Sequence, residues 1–173
     1  LNVNVDVRSN AEFSSLSDDI NSTVATRKRY IGEAAARIDK ELEYAKQIQL
    51  SALASDFPDT EDYAVYAQMI AAKEVGGDFY DFYTLDSNTV LFLAADVSGK
   101  GIPAAMFMMT AKTIIKDLAE RGIPVNEIFT IANEKLCENN ESGTFVTAWM
   151  AIVDFSTGKM KFANAGHNPP LIK

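Results

Sequence analysis

Apolar and polar positions along this chain follow two different periods, and the change of period divides it. From Phe13 to Leu53 there is no proline and one glycine, Gly32, while Ala, Glu, Lys, Ile and Leu dominate the second half. That composition predicts one long helix. Val24, Ile31, Ile38, Ala45 and Ala52 recur at heptad spacing; Ile20, Ala34 and Ile48 share their seam, with Leu42 beside it. At 1.5 Å per residue such a helix runs on the order of 60 Å. No small domain covers that length, so the seam predicts a dimeric coiled coil. Arg27 falls on the seam where an apolar residue would pack better, and Gly32 weakens the same region. The opening stretch Leu1 to Val7 also alternates, which alone suggests a short strand.

The pattern changes at Ser55 to Pro58, where Pro58 stops helical continuation and an acidic run follows. We therefore expect a helical segment over residues 1–54 and a globular domain over 55–173. Apolar or alternating runs at Tyr63–Ala71, Phe79–Thr84 and Val90–Val97 read as strands of a meander, with a turn at Asp86 to Asn88. Pro103 suits the first position of a helix running from Ala104 to Glu120 and ending at Gly122. Pro124 to Glu138 reads as a second helix. Phe145–Asp154 and Lys159–Ala165 then form a hairpin around Ser156, Thr157 and Gly158. The order α–βββ–αα–ββ predicts an α+β fold with mainly antiparallel strands. Met106, Met108 and Met109 read as helix core, and Phe145 and Trp149 as sheet core.

Composition narrows the classes of function. A chain of 173 residues, 47% of them hydrophobic, can bury a substantial core. Its apolar runs, such as Val90 to Val97, fall far short of the roughly 18 residues that cross a bilayer. No secretory leader opens it, so no membrane insertion is expected of this segment. Cys137 is the only cysteine and has no Cys or His neighbours for a zinc site, which fits a reducing cytoplasm. The formal charge of -8 disfavours nucleic acid and suits a protein substrate. The basic run Arg27 to Arg29 reads as a solvated helix face.

Two aspartates stand at or near the ends of apolar strands among glycines: Asp78 after Gly76 and Gly77, and Asp96 before Gly99, Lys100 and Gly101. A carboxylate there is costly unless paired, hydrogen-bonded or bound to a cation, and glycines allow close approach of backbone and ligand. A hard ion, Mg²⁺ or Mn²⁺, fits an oxygen donor set with one histidine in the chain. Strand-end turn residues are an equally good reading of the same two aspartates. The Ser98 to Gly101 stretch lacks the spacing of a nucleotide-binding P-loop.

Three blocks in order, Glu74-Val-Gly-Gly-Asp-Phe-Tyr-Asp81, Asp96-Val-Ser-Gly-Lys-Gly-Ile-Pro-Ala-Ala105 and Asn164-Ala-Gly-His-Asn-Pro-Pro170, resemble the signature blocks of SpoIIE/RsbU-type phosphatases. These belong to the PPM class of metal-dependent serine/threonine protein phosphatases. The resemblance runs from about Gln47 to the end of the chain. It implies a PPM-like, mainly antiparallel β-sandwich with flanking helices, preceded here by the long coiled-coil-forming helix. It further implies two Mn²⁺ or Mg²⁺ ions in the complete domain. By motif position Asp96 would bridge them, the Val97 carbonyl would bind one, and Asp78 would hold the site directly or through water. Gly77, Gly99, Lys100 and His167 are candidates for substrate contact or support of the site, with a structural role for His167 the stronger reading. Asp81 and Glu74 either orient the site or serve as strand-edge or turn residues.

The implied substrate is a phosphorylated STAS-like regulatory protein of the anti-anti-sigma-factor kind. Residues Leu16 to Ile31 resemble the second helix of a HAMP signalling module, which implies an upstream sensor and a cytoplasmic position, compatible with the inner part of a membrane-anchored receptor. Later acidic motifs of the family, including an Asp-Gly pair, are absent from this sequence, which has no Asp or Glu after Asp154. We therefore expect a domain truncated at its C-terminus, with weakened metal binding and activity. The rival expectation is a catalytically silent dimerisation or relay module on a phosphatase-like fold.

Overall fold

The computed structural model describes residues 11–61, 63–71 and 73–171. The strand expected over Leu1 to Val7 lies outside them. Helix α1 spans Ala11–Ala52, followed by strands β1 (Phe79–Thr84) and β2 (Thr89–Val97), helices α2 (Ile102–Glu120) and α3 (Val125–Cys137), and strands β3 (Val146–Asp154) and β4 (Lys159–Ala165). The chain forms two compact units, one up to Tyr44 and one from Ala45 onward. No helix among the described residues is long and apolar enough to cross a membrane.

In the first unit α1 is a continuous helix whose seam residues Ile31 and Ile38 are 68% and 54% exposed. Its charges are arranged as on a solvated helix, with Arg29 and Glu33 paired one turn apart at 3.8 Å.

The second unit is a four-stranded antiparallel sheet in the order β1-β2-β3-β4, backed by α2 and α3. Each strand pairs with the one before it in sequence: short turns set the register of β1 with β2 and of β3 with β4, while β2 and β3 pair across the intervening helices. Asp86 holds the first turn by accepting the N–H groups of Asn88 and Thr89, both at 2.9 Å. Asp154 holds the β3–β4 turn by accepting from the N–H and Oγ of Ser156 and the Oγ1 of Thr157. Hydrogen bonds to these oxygens keep both carboxyls below the usual carboxylate range.

The period of two along each strand sorts residues onto two faces. Leu91, Leu93, Ala95 and Val97 of β2, with Phe79 of β1 and Ala148 and Met150 of β3, pack against Met108, Ala111, Ile115 and Leu118 of α2 and Ile128 of α3. This is the dry core. The other face carries Tyr80, Phe82, Phe92, Ala94, Trp149 and Phe162, and Phe57 lies against the rings of Tyr80 and Phe82 at 6.0 and 5.6 Å. Phe162 and Met160 stay exposed on it. The glycine stop of α2 is a paired one: Gly122, at φ 73°, donates to Ala119, and Ile123 donates to Leu118.

The mixed helical and antiparallel fold with a long leading helix agrees with the sequence reading, and β1 and β4 have the expected bounds. Three local expectations fail. Tyr63–Ala71 alternates between half-buried and exposed residues as a strand does, yet among the described residues it joins no ladder and bridges only through Ala64 with Asp59. Alternation records a face, whereas a strand also needs a neighbouring edge. Met106 is 68% exposed, because it lies off the core stripe set by Met108, Ala111 and Ile115. Phe145 is exposed because it precedes β3 rather than lying within it.

The last turns of α1 are tied to the sheet unit by a buried side chain. Gln49 donates through Nε2 to the Gly76 carbonyl at 2.6 Å and accepts the Gly76 N–H through Oε1 at 3.1 Å. Gln49→Leu leaves both backbone groups buried and unpaired, so the unfolding free energy measured in urea should fall by about 2–4 kcal/mol. A loss under about 0.5 kcal/mol would mean that water replaces the amide.

Candidate metal and phosphate site

The site is built where β1 begins and β2 ends. Phe79 pairs with Ala95, so one step further along the same register Asp78 stands beside Asp96. Asp96 pairs with Thr147 of β3, and Trp149 with Asn164 of β4, which brings the Asn164 block to the same face and end of the sheet. Asp78, Asp96 and His167 line one cleft, with Tyr80 and Ala94 as floor and Gln68, Met69 and Ile70 on its rim.

Gly77 sets the spacing. A Cβ there would lie 2.7 Å from the Val97 carbonyl oxygen, 2.9 Å from the Val97 side chain and 3.3 Å from Ala104 of α2. Only glycine lets the segment before Asp78 lie this close to the end of β2. The loop leaving β2 is fastened on its other side: Ser98 donates its N–H to the Phe145 carbonyl at 2.8 Å, and its Oγ accepts the Phe145 N–H at 3.0 Å. Gly99 and Gly101 then take φ of 89° and 75°, turning the chain into α2.

His167 is held from two sides. Asn164 accepts its N–H at 2.8 Å and donates to its carbonyl at 3.0 Å, while its Nδ1 lies 2.9 Å from Thr147 Oγ1. The same Thr147 hydroxyl lies 3.4 Å from the Asp96 carbonyl, its weaker contact. Burial first, and then the neighbouring Asp96 carboxylate, raise the Asp78 carboxyl above its ordinary value, with the His167 charge acting the other way.

Burial and the neighbouring Asp96 disfavour the charged form of Asp78, a cost that a divalent cation would relieve. The residues present fit a hard ion: two carboxylates, with the Val97 carbonyl beside Gly77, is a donor set of the oxygen type that leaves room for water. Among the described residues no cluster of three or more His, Cys, Asp or Glu side chains could hold a metal, so a zinc-like cage is not formed there.

Of the residues singled out in the sequence, Asp78, Asp96 and His167 come together, while Gly77 and Val97, next to the two aspartates in the chain, lie against each other and are not among the residues lining the cleft. Gly99 and Lys100 are exposed on the adjoining loop and are not among the residues lining the cleft. Asp81 lies elsewhere, buried on the helix-facing side. The sequence reading missed Thr147, whose signal is its place opposite Asp96 in the ladder, and the Gln68 to Ile70 rim.

Residues 86–173 match the family described as Stage II sporulation protein E (SpoIIE). The chain is 32% identical over 132 residues to phosphoserine phosphatase RsbU of Bacillus subtilis (strain 168), covering 76% of this chain and 39% of that protein. It is 26% identical over 136 residues to phosphoserine phosphatase RsbP of the same organism, covering 76% of this chain and 34% of that protein. The chain thus spans less than half the length of either relative. Among solved structures, the SiaA-PP2C domain of Pseudomonas aeruginosa shares the fold, with a TM-score of 0.59 at 21% identity over 76% of this chain and 54% of that one. A family match over half the sequence and a PP2C-like fold lead to one conclusion: the chain belongs to the SpoIIE family, among the SpoIIE/RsbU-like phosphatases of the PPM type.

Proposed function

We propose that the protein of which this chain is part hydrolyses phosphoserine or phosphothreonine on a regulatory protein, using Mn²⁺ or Mg²⁺. The observation that carries this reading is the convergence of Asp78, Asp96 and His167 in one cleft at the end of the sheet. When bound, two such ions lower the pKa of water and offset the charge of an in-line phosphoryl displacement. Asp96, at the end of β2, would be the carboxylate shared by the ions, Asp78 would add a second charge, and the Val97 carbonyl a neutral oxygen. Gly77 keeps these groups close. His167, oriented by Thr147 and Asn164, faces the incoming phosphate, and Gly99 and Lys100 border the path of the substrate protein. That protein is a phosphorylated STAS-like regulator, met in the cytoplasm. Residues 1–54, the HAMP-like part, transmit an input to the domain as a homodimer, and residues 55–173 carry the catalytic fold.

Asp96→Asn should reduce Mn²⁺-dependent release of phosphate from a phosphoserine protein to background while the circular dichroism spectrum is kept, because an amide cannot offset two dications. Near-normal turnover by the folded variant would remove the bridging role and favour a non-catalytic relay.

Asp78 gives a test without turnover. Its folded pKa is raised, so whatever it contributes to stability is fullest below the ordinary carboxylate value of 3.8 and is lost as pH rises through the folded value. At neutral pH without divalent ions, Asp78→Asn should therefore melt at a higher temperature than the parent, with the difference vanishing in acid. Mn²⁺ should raise the melting temperature of the parent alone. An equal Mn²⁺ shift in both proteins would place the ion elsewhere.

The seam of α1 is tested by light scattering. Ile31→Asp with Ile38→Asp puts charge into the proposed dimer contact and should convert dimer to monomer at micromolar concentrations. A parent already monomeric there, or a double variant still dimeric, refutes the coiled-coil pairing.

A further inference from the structure

Asp81 and Lys112 are 5% and 8% exposed and in contact, from opposite sides of the interface between β1 and α2. The core beside them is apolar, with Phe79 and Leu93 on the sheet and Met108, Ala111 and Ile115 on the helix, while Tyr83 and Lys116 stand on the other side. Every oxygen of the carboxylate is used. Oδ1 accepts the Phe82 N–H at 3.0 Å, and Oδ2 accepts from both the Tyr83 hydroxyl and the Lys112 ammonium. The Tyr83 ring lies 5.8 Å from the Lys112 ammonium and 5.5 Å from that of Lys116. Burial, and next the charge of Lys116, push Lys112 down to about 8, which still leaves it charged at neutral pH.

Such a pair is a poor way to gain stability. Apolar residues of similar volume often serve as well or better in a buried position, whereas a satisfied polar network admits one geometry only. What needs one geometry here is the seating of α2. Its first turn places Ala104 against Gly77, and Gly77 lies against the Val97 carbonyl. Asp78 follows Gly77 directly, and Asp96 precedes Val97. An apolar interface alone tolerates small slides of a helix along a sheet. A slide of α2 would push Ala104 across Gly77 and separate the two aspartates.

We propose that the buried Asp81–Lys112–Tyr83 network is a positioning lock, which fixes α2 along β1 and thereby holds Gly77 and Val97, and with them Asp78 and Asp96, at the spacing a divalent ion requires. Lys112 lies about 15 Å along the helix from Ile102 at 1.5 Å per residue. The lock therefore acts through the helix and touches neither ion nor substrate. This inference rests on the reading of Asp78 and Asp96 as ion ligands.

The test uses the whole chain and compares the parent with Asp81→Asn and with the paired replacement Asp81→Leu, Lys112→Met. The single variant leaves Lys112 buried without its charge partner and is open to unfolding. The pair removes both charges and nearly keeps the volume; it leaves the Phe82 N–H and the Tyr83 hydroxyl without their acceptor, a general loss that the β3 amides would report. Amide hydrogen exchange and Mn²⁺ binding, followed by electron paramagnetic resonance, are read for each. In the paired variant the amides of residues 97–105 should exchange about tenfold faster while those of β3 keep their parental rate, and Mn²⁺ affinity should fall about tenfold. Parental exchange in residues 97–105 overturns the lock, as does an equal rise in β3, which would mark a general loss of stability. An Asp96→Asn protein that binds Mn²⁺ as the parent does overturns the ion-site reading instead, and the exchange pattern still decides whether the helix is locked.

Discussion

Two carboxylates on neighbouring strands, Asp78 and Asp96, repel one another, and the rest of the sheet unit is arranged to hold them where they are. Antiparallel pairing supplies the first restraint, because the Phe79–Ala95 register puts both side chains on one face. The second is the missing side chain of Gly77, without which the chain before Asp78 could not approach the Val97 carbonyl. Neither restraint removes the cost of charging Asp78, whose carboxyl is raised by burial first and by Asp96 next. A cation bound there would relieve it, so affinity for an ion and the cost without one would have the same origin.

The two faces of the sheet divide the work. The helix-facing side is closed and, apart from the Asp81–Lys112–Tyr83 network, apolar, with Leu91, Met150, Met108 and Ile128 wholly buried. The opposite side carries the polar ends: Asp96, Thr147 and Asn164 lie on successive strands near one end, and His167 is the next feature of the chain. A site on strand ends inherits the stiffness of the ladder behind it, while the loops beside it remain open to a large substrate.

Much of this architecture was legible in the sequence, and the parts that were not share one cause. Helix and strand bounds follow from local period and turn residues, so β1, β4 and the glycine stop of α2 came out as expected. The Gly-Gly-Asp and Asp-Val-Ser-Gly-Lys-Gly blocks marked both aspartates for the same reason. Pairing is non-local. Tyr63–Ala71 has the strand period without a ladder, Thr147 joins the site only through its register with Asp96, and Asp81 meets Lys112 across 31 residues of sequence. Each element was visible, whereas its partner across the fold was not.

The end of α1 packs an exposed apolar surface and a buried support of the chain before Asp78 into one turn of helix. Gln49 is buried and grips both backbone groups of Gly76, two residues before Asp78. Ile48, the neighbouring residue, is exposed and shares an apolar groove with Ile102, Ala105 and Met106 of α2. Successive residues on a helix point about 100° apart at 3.6 residues per turn, so a single turn presents one face to the chain behind Asp78 and another to solvent. Ile48 also continues the heptad seam that begins at Ile20. The expected seam and the groove beside α2 meet at Ile48, whereas the grip on Gly76 belongs to Gln49, so a substitution at either position changes one face of the turn and leaves the other in place.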